Sequence, residues 1–550
     1  MTIDRELTDT IDLGSVSLKE LVAGARTREL DRLEMFYRAK QYDSYRYDWD
    51  GNVMGYGGAA DIEPGWYVPL KRRKPSAKVH LAGSIVQRFT AMLFGRDRWP
   101  EVHVNGDRDA EELAKELQRV SALPTKMIEA RNLGGACGSV GLSFAFVGGQ
   151  PRVQIHNAKH CTVLKWNPTE DLRPLSAIEA YVYKKTVVMD GKFKEKDFVY
   201  ARLWTDTYEQ VWEPIPMEIA ATRYWHDVIP SKTIEHGLGF CPFYWIQNIP
   251  DSYNVDGESD FAGTLDEMDE INQLFSSAFK GTKCNVDPTV VIREDPALNT
   301  GVVRKGAGNA IFSRGGAEYL TLPGDASSGA LAIMREAVMG VLERCQCVIL
   351  DPDAGAVASG ESQKIRYMPM LAKCDLLREQ YGKAIALITR DMMRAVRAIA
   401  NKPPALTEDG ELSQQYVELE PKIIVETADD GTETVRIVPR PLGSLDIIEL
   451  NWGPYFPATW SDIQQAIIAA GAAIGGKPVA SLETVVKLIA SMTGVRDVDA
   501  EVRKIEEDAE VAVDRATRAF GAGGPEEAKA AIDAEKGEEV EEKEETVEEA

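Results

Sequence analysis

The stretch "GFCPFYWIQNIPDSYNVDGESDFAGTLDEMDEINQLFSSAF", Gly239 to Phe279, holds the change of pattern on which the fold turns. Its first part is aromatic and β-branched and closes a strand-rich segment. Its last part is helical. Leu265, Met268, Ile271, Phe275 and Ala278 recur three or four residues apart, which predicts a helix over about 259–280 with Ser259 or Asp260 as its N-cap. Asp266 and Glu267 lie in its early turns, where the helix dipole favours carboxylates.

Upstream, "VGLSFAFVGG", "RVQIHN", "CTVLKW", "AIEAYVYKKTVV", "DFVYARLWT" and "YEQVWEPI" are short runs separated by turn residues, so about 138–250 reads as β-rich. Before them come a helical stripe over about 17–42, an aromatic, Gly-rich loop "YRYDWDGNVMGYGG" and a basic run with Lys71, Arg72, Arg73, Lys74 and Lys78. Two helical stretches follow, "LAGSIVQRFTAMLFG" and "DAEELAKELQRVSALPTKMIEARNLGG"; Pro124 bends or breaks the second. Downstream, "PTVVIRE" and "AEYLTLPGD" are strand-like, and a second helix starts near Ser327 with Leu331, Met334, Val338, Val341, Leu342 and Cys345 on one side. The small, flexible stretch "DPDAGAVASGES", Asp351 to Ser362, then precedes a third helix over about Gln363–Asn401, in which Pro369 predicts an early kink. Strands return in "KIIVETADDGTETVRIVPR" and "DIIELNWGPY", and helices follow at about 460–471, 481–492 and 498–519.

The 550 residues suggest two to four domains, and 44% hydrophobic content is enough for real cores. Net charge is −24. Residues 521–550 hold twelve acids against three lysines, a net of −9, so the other 520 residues carry −15. That acidic tail reads as solvated rather than packed. The overall balance gives no general attraction for polyanions. Seven scattered cysteines (137, 161, 241, 284, 345, 347 and 374) are not a disulfide framework and point to a reducing compartment. The charged first residues do not read as a signal peptide, and no apolar run approaches the roughly 18 residues of a membrane span. The expectation is a soluble protein made in the cytosol.

Catalytic motifs fail on their chemistry. "GAAIGGKP", Gly471 to Pro478, has Walker A spacing, but Pro478 replaces the Mg²⁺-binding hydroxyl and a helix precedes it where a strand is needed. "DPDAG" opens like an EF-hand loop, but Ala356 stands where glycine is required and Ser362 where glutamate is. "HNAKHC" brings His156, His160 and Cys161 close together, yet no second cysteine or acid sits at a matching spacing, so they read as ordinary histidines. No Ser-His-Asp, Cys-His or paired-carboxylate constellation stands out. The expectation is a non-enzyme with no cofactor, no metal and no catalytic residue.

Three stretches in order carry a resemblance. The first is the quoted one, through Pro242, Asn248, Gly257, Ser259, Asp260 and Asn272; the second is "ASGESQKIRYMPMLAKCDLLREQY"; the third is "IELNWGPYFPATWSDIQQAI". Over roughly 30–510 the chain resembles the portal proteins of tailed double-stranded DNA bacteriophages, of the siphophage head-to-tail type. The resemblance implies an α+β portal fold with a β-rich wing, a long-helix stem, a small α/β clip and a helical crown. On this sequence the wing is 1–258, the stem helices are 259–284 and 327–348, and the clip is 285–326. The tunnel loop is 349–362, the long kinked helix 363–401, the returning wing strands 402–458, the crown 459–520 and the acidic tail 521–550.

The same resemblance implies a ring, dodecameric in the particle, that passes double-stranded DNA through a channel at one capsid vertex during packaging and ejection. Its implied partners are further copies of itself, the terminase large subunit, a head–tail adaptor, the major capsid protein and scaffold, with no membrane. Its place is the virion, after synthesis in the host cytoplasm. The tunnel-loop residues are then Asp351, Pro352, Asp353, Ala354, Gly355, Ala356, Val357, Ala358, Ser359, Gly360 and Glu361. Their small size gives backbone freedom, and their acids repel phosphate. Asp266, Glu267, Asp269, Glu270, Lys280 and Lys283 line the stem, and Arg293, Glu294, Arg304, Lys305 and Arg314 dock motor and adaptor at the clip. At the mouth of the stem Asp256, Glu258, Asp260, Asp266, Glu267, Asp269 and Glu270 include no base, which suits a conduit that must not grip DNA. The apolar stripe of the first stem helix is expected to pack on neighbouring stem helices, including those of adjacent subunits. The competing readings are a nucleotide-driven nucleic-acid enzyme with a spatially assembled site, and a capsid or scaffold-binding protein without a channel.

Overall fold

The computed structural model describes residues 22–54, 68–95, 98–104, 108–167, 172–189, 192–220, 229–286, 289–292, 317–320, 324–349, 360–400, 422–427, 433–438 and 448–456, with 464, 468, 485–486, 501–508 and 511. Residues 351–359 of the expected tunnel loop, the clip residues Arg293, Glu294, Arg304, Lys305 and Arg314, and the acidic tail lie outside them. The chain forms two compact units, Met1–Trp452 and Gly453–Ala550. In the second, residues 464, 468, 485–486, 501–508 and 511 are helical.

The first unit is α+β. It opens with α1 (Ala25–Tyr37), α2 (Leu81–Phe94), strand β1 (Glu101–Val104), α3 (Arg108–Val120) and α4 (Leu123–Cys137). Pro124 sits in the first turn of α4, where its missing N–H costs nothing, and Ala122 in left-handed conformation breaks the chain between α3 and α4. Strands β2 (Ser139–Val147), β3 (Gln150–Asn157), β4 (Cys161–Lys165), β5 (Ser176–Met189), β6 (Lys192–Trp204), β7 (Tyr208–Pro216), β8 (Lys232–Glu235) and β9 (Phe243–Gln247) follow. They make two antiparallel sheets, β3-β2-β9 and the meander β4-β5-β6-β7-β8. Only five residues separate Asn157 on β3 from Val163 on β4, so the sheets meet there; Cys161, Val163, Trp204, Phe243 and Trp245 share one core.

The long helices come next: α5 (Leu265–Val286), α6 (Gly324–Arg344) and α7 (Gly360–Ala400), with strands β10 (Thr289–Ile292) and β11 (Ala317–Leu320) paired antiparallel between α5 and α6. Their 22, 21 and 41 residues give lengths of about 33, 32 and 60 Å. Pro369 lies inside α7. Two expectations need correction. Gly360 and Glu361, expected in the loop, already belong to α7. Ser259 and Asp260 do not cap α5, which begins five residues later and receives Thr264 ahead of it, its carbonyl accepting from Met268. The hairpin β12 (Lys422–Thr427) and β13 (Glu433–Val438) follows α7, and β14 (Ile448–Asn451) returns to pair with β1. Among the described residues no helix is long and apolar enough to cross a membrane, and six of the cysteines are buried free thiols.

Asp260 is where these elements are joined. Its carboxylate accepts from Arg131 of α4 at 2.8 and 3.1 Å and from Asn248 at 3.1 Å; the side chains of both Arg131 and Asp260 are fully buried. Tyr381 of α7 donates to Asn248, and the Arg131 guanidinium stacks on the Tyr381 ring. Lys373 of α7 reaches the Asp260 carbonyl and the Cys345 carbonyl just beyond α6, over the face of Phe89 in α2. A methyl group on Gly135 would sit 2.1 Å from the Arg131 guanidinium and 2.5 Å from the Asp260 carboxylate, so only glycine admits the pair. Gly138, at φ +84, would clash with the Gly257 carbonyl if it had a Cβ.

α7 buries Cys374, Leu377, Tyr381, Ala384, Ile385 and Ile388, a helical stripe against this core. Trp452, at the end of β14, packs on Phe94 of α2 and under Arg378 of α7. Each of the three stretches that carry the family resemblance therefore places residues on α7 or within it: Asn248 and Asp260, Lys373 and Tyr381, and Trp452.

Removing the Asp260 carboxylate leaves a guanidinium buried without a counter-charge. Asp260→Ala is expected to cost about 3–5 kcal/mol of unfolding free energy in urea titrations followed by tryptophan fluorescence, whereas Asp266→Ala, at an exposed pair, changes it by less than about 1 kcal/mol. Equal losses for the two variants would refute the assigned role of Asp260.

Candidate functional site

α5 and α6 pair start to end, with Arg344 at the end of α6 donating to Glu267 at the start of α5 at 2.7 Å. The buried side of α5 carries Met268, Ile271, Asn272, Ser276 and Ala278. Its partners are in the same chain. Asn272 accepts from the Val79 amide at 2.7 Å, and Ser276 both accepts from the Ala77 amide and donates to the Ala77 carbonyl. Two helical side chains thus satisfy backbone groups of Ala77 and Val79, in the segment that leads into α2. Asn272 also donates to the Tyr42 hydroxyl, which donates to Asp269. The stripe, expected to pack on neighbouring stem helices including those of adjacent subunits, has Met268, Ile271 and Ala278 buried within the chain itself.

The expected stem-lining residues separate into two groups. Asp266 pairs with Arg32, Glu267 with Arg344, Asp269 with Tyr42, and Lys280 with Asp50. Glu270 and Lys283 are exposed. The acidic mouth is also less negative than its sequence. Asp256 is held by Arg26 in a two-pronged contact at 2.5 and 2.8 Å, and Asp260 is buried on Arg131. The bases missing from the local stretch arrive from α1 and α4, more than a hundred residues earlier in the chain. The basic run is partly consumed as well. Arg73 bonds the Val68 and Trp49 carbonyls, Lys74 pairs with Asp43, and Lys78 bonds the Ala39 carbonyl over the Tyr42 ring, while Lys71 and Arg72 stay exposed.

Side chains that the chain leaves uncovered on the long helices include Phe279 of α5, Ile333 and Met339 of α6, and Met368 and Leu376 of α7, each 58–64% exposed. Isolated exposed apolar residues are ordinary; here they recur along all three long helices.

A second polar cluster, invisible in the linear sequence, lies where the two sheets meet. Ser143 Oγ is 2.8 Å from His156 Nε2, and His156 Nδ1 is 2.9 Å from Glu179 Oε1. The connectivity is that of a hydrolase triad, but the setting is not. Ser143 is 3% exposed on β2, between β3 and β9, so its flanking backbone belongs to the ladders and no acyl group reaches it. The sequence reading missed the cluster because Glu179 comes from β5, opposite Cys161, and only the register of β4 on β5 brings it in.

Burial pushes the Asp269 carboxyl above the usual carboxylate range, with the Tyr42 hydrogen bond opposing in part. The same burial, and the neighbouring Asp269 carboxylate, push the Tyr42 hydroxyl up. A raised carboxyl adds stability when protonated and loses it as pH rises through its folded value. Asp269→Asn keeps the acceptor for Tyr42 without the buried charge. The variant is expected to unfold at higher urea than wild type at neutral pH, with the advantage shrinking as pH falls through the carboxylate range. A pH-independent difference would count against a buried charge at this position.

No protein-family profile matches the chain, and no curated protein matches it. Among solved structures it is similar to a chain of "Neck of native GTA particle computed with C12 symmetry", at 14% identity and a TM-score of 0.34, over 74% of this chain and 90% of that chain.

Proposed function

We propose that the chain is the subunit of a ring-shaped, non-enzymatic conduit for double-stranded DNA at one vertex of a bacteriophage capsid, a portal protein serving packaging and ejection. The observation that carries this reading is the order of the long elements and where they are tied. Two helices of about 33 Å pair start to end, with a strand pair between them, and a helix nearly twice as long returns to the core through the residues that carry the resemblance. In this reading α5 and α6 are the stem, the segment around β10 and β11 is the clip that meets the terminase and later the adaptor, and the residues before α7 are the tunnel loop. β14 returning to β1 is the wing strand of that scheme. The uncovered apolar residues on α5, α6 and α7 are the subunit contacts of the ring, dodecameric in the particle. Glu267, Asp269 and Lys280 have partners within the chain, so the lining role rests on the exposed Glu270 and Lys283 together with Asp266, which stays exposed in its pair with Arg32. ATP hydrolysis belongs to the packaging motor.

The native mass of the full-length protein, with images of the same sample, tests the reading. A ring of many subunits with an axial opening is expected; a monomer or dimer that stays small across salt and concentration overturns it. Deleting Asp353 to Ser359 is expected to leave ring assembly intact and to reduce the yield of DNA-filled particles. Normal yields from that deletion would remove the tunnel-loop assignment.

A further inference from the structure

The cluster between the sheets has a property beyond its hydrogen bonds. A ring nitrogen of His156, Cys161 Sγ and a Glu179 carboxylate oxygen lie within 4.8 Å of one another. We propose that His156, Cys161 and Glu179 form a buried site for one divalent transition-metal ion of the zinc class, pinning β3 to β4 and β5.

The geometry comes from the fold. Cys161 and Glu179 are direct cross-strand partners in β4 and β5, so their side chains rise from the same face of the meander. His156 is the last residue but one of β3 in the other sheet, and the single 3-10 turn Ala158–His160 connects β3 to β4 just after it. His156 stands opposite Gly141, where a Cβ would be 2.7 Å from the Phe243 ring and 3.2 Å from the His156 Cβ, so the absence of a side chain at 141 lets the Phe243 ring lie close beside His156.

The donor set is chemically selective. Thiolate plus imidazole favours zinc-class ions over magnesium or calcium, which require oxygen ligands. Tetrahedral bonds of about 2.0–2.3 Å place ligand atoms about 3.3–3.7 Å apart, which side-chain rotations of about 1 Å supply. Three protein ligands leave a fourth position for water or a small anion.

Two further observations point the same way. Among the described residues the Cys161 sulfur has no hydrogen-bond partner, and the Glu179 carboxylate has His156 as its one hydrogen-bond partner, although these side chains are fully and largely buried. A cation between them satisfies both. Nδ1 is the nitrogen that faces Glu179, and Ser143 Oγ holds Nε2 at 2.8 Å. The ring is thereby oriented by a second hydrogen bond, the arrangement that metal-bound histidines use. Trp204 and Phe243 pack against the imidazole at 4.9 and 5.8 Å between ring centres and keep the surroundings dry. Binding releases the Cys161 proton to solvent.

The test uses full-length protein stripped with a chelator and titrated with Co²⁺, whose thiolate-to-cobalt absorption reports sulfur ligation directly. One equivalent per chain and a thiolate band are expected in wild type, with the band displaced by Zn²⁺. Cys161→Ser, a one-atom change, is expected to lose the band, and Glu179→Gln to weaken cobalt binding by more than about tenfold. Zn²⁺ is expected to raise the unfolding temperature of wild type and not that of Cys161→Ser. No stoichiometric cobalt uptake by wild type, or a band that survives in a folded Cys161→Ser, would refute the site. If Cys161→Ser does not fold, the wild-type stoichiometry and the Glu179→Gln weakening decide the matter.

Discussion

The ion pair between Arg131 and Asp260 is the constraint on which the rest of the first unit depends. Removing both charges from water is costly, and the cost is recovered only through close pairing, here by Arg131 Nη2 on both Asp260 oxygens, with well-placed groups around them. Here the placement requires glycine at 135, an amide from Asn248, the Tyr381 ring under the guanidinium and an ammonium from Lys373 on the adjacent carbonyls. Those groups come from α4, the connection out of β9, and α7. A helix as long as α7 has many ways to slide along an apolar core. Tyr381 and Lys373, two turns apart, permit one register, because any other leaves a buried charge without a partner.

From that knot the long helices take their positions. α5 starts five residues after Asp260, and the Cys345 carbonyl that Lys373 holds is the first beyond α6. α5 is then clamped by Tyr42 and by the backbone of Ala77 and Val79. The consequence for electrostatics is direct. Acids that look like a phosphate-repelling surface in the linear sequence are in large part neutralised by Arg26, Arg32, Arg131 and Arg344.

The junction of the two sheets presents a different solution to the same difficulty. Ser143, His156 and Glu179 place polar groups inside an apolar cluster, satisfied in part by one another. A cation at that point would reinforce a junction already made by the short turn at 158–160, by aromatic packing and by the His156–Glu179 and Arg202–Gln154 hydrogen bonds.

The sequence by itself determined the alternation of β-rich and helical segments, the three long helices with the start of α5 placed six residues too early, and the strand-like stretches between α5 and α6. These follow from periodicity and from local turn and cap chemistry, which act over a handful of residues. It also singled out Asn248, Gly257, Asp260 and Asn272, but their purpose was not legible. Asp260 just before an apolar stripe has the local pattern of a helix cap, and nothing nearby indicates that a guanidinium 129 positions away will take its carboxylate. Glu179 joined His156 and Cys161 only through strand register, and Asp256 met Arg26 only through the docking of α1. Local periodicity specifies which residues form an element and which face it buries. The partner that each buried charge meets is decided by tertiary packing, because desolvation forces such groups to pair across whatever sequence distance the fold has closed.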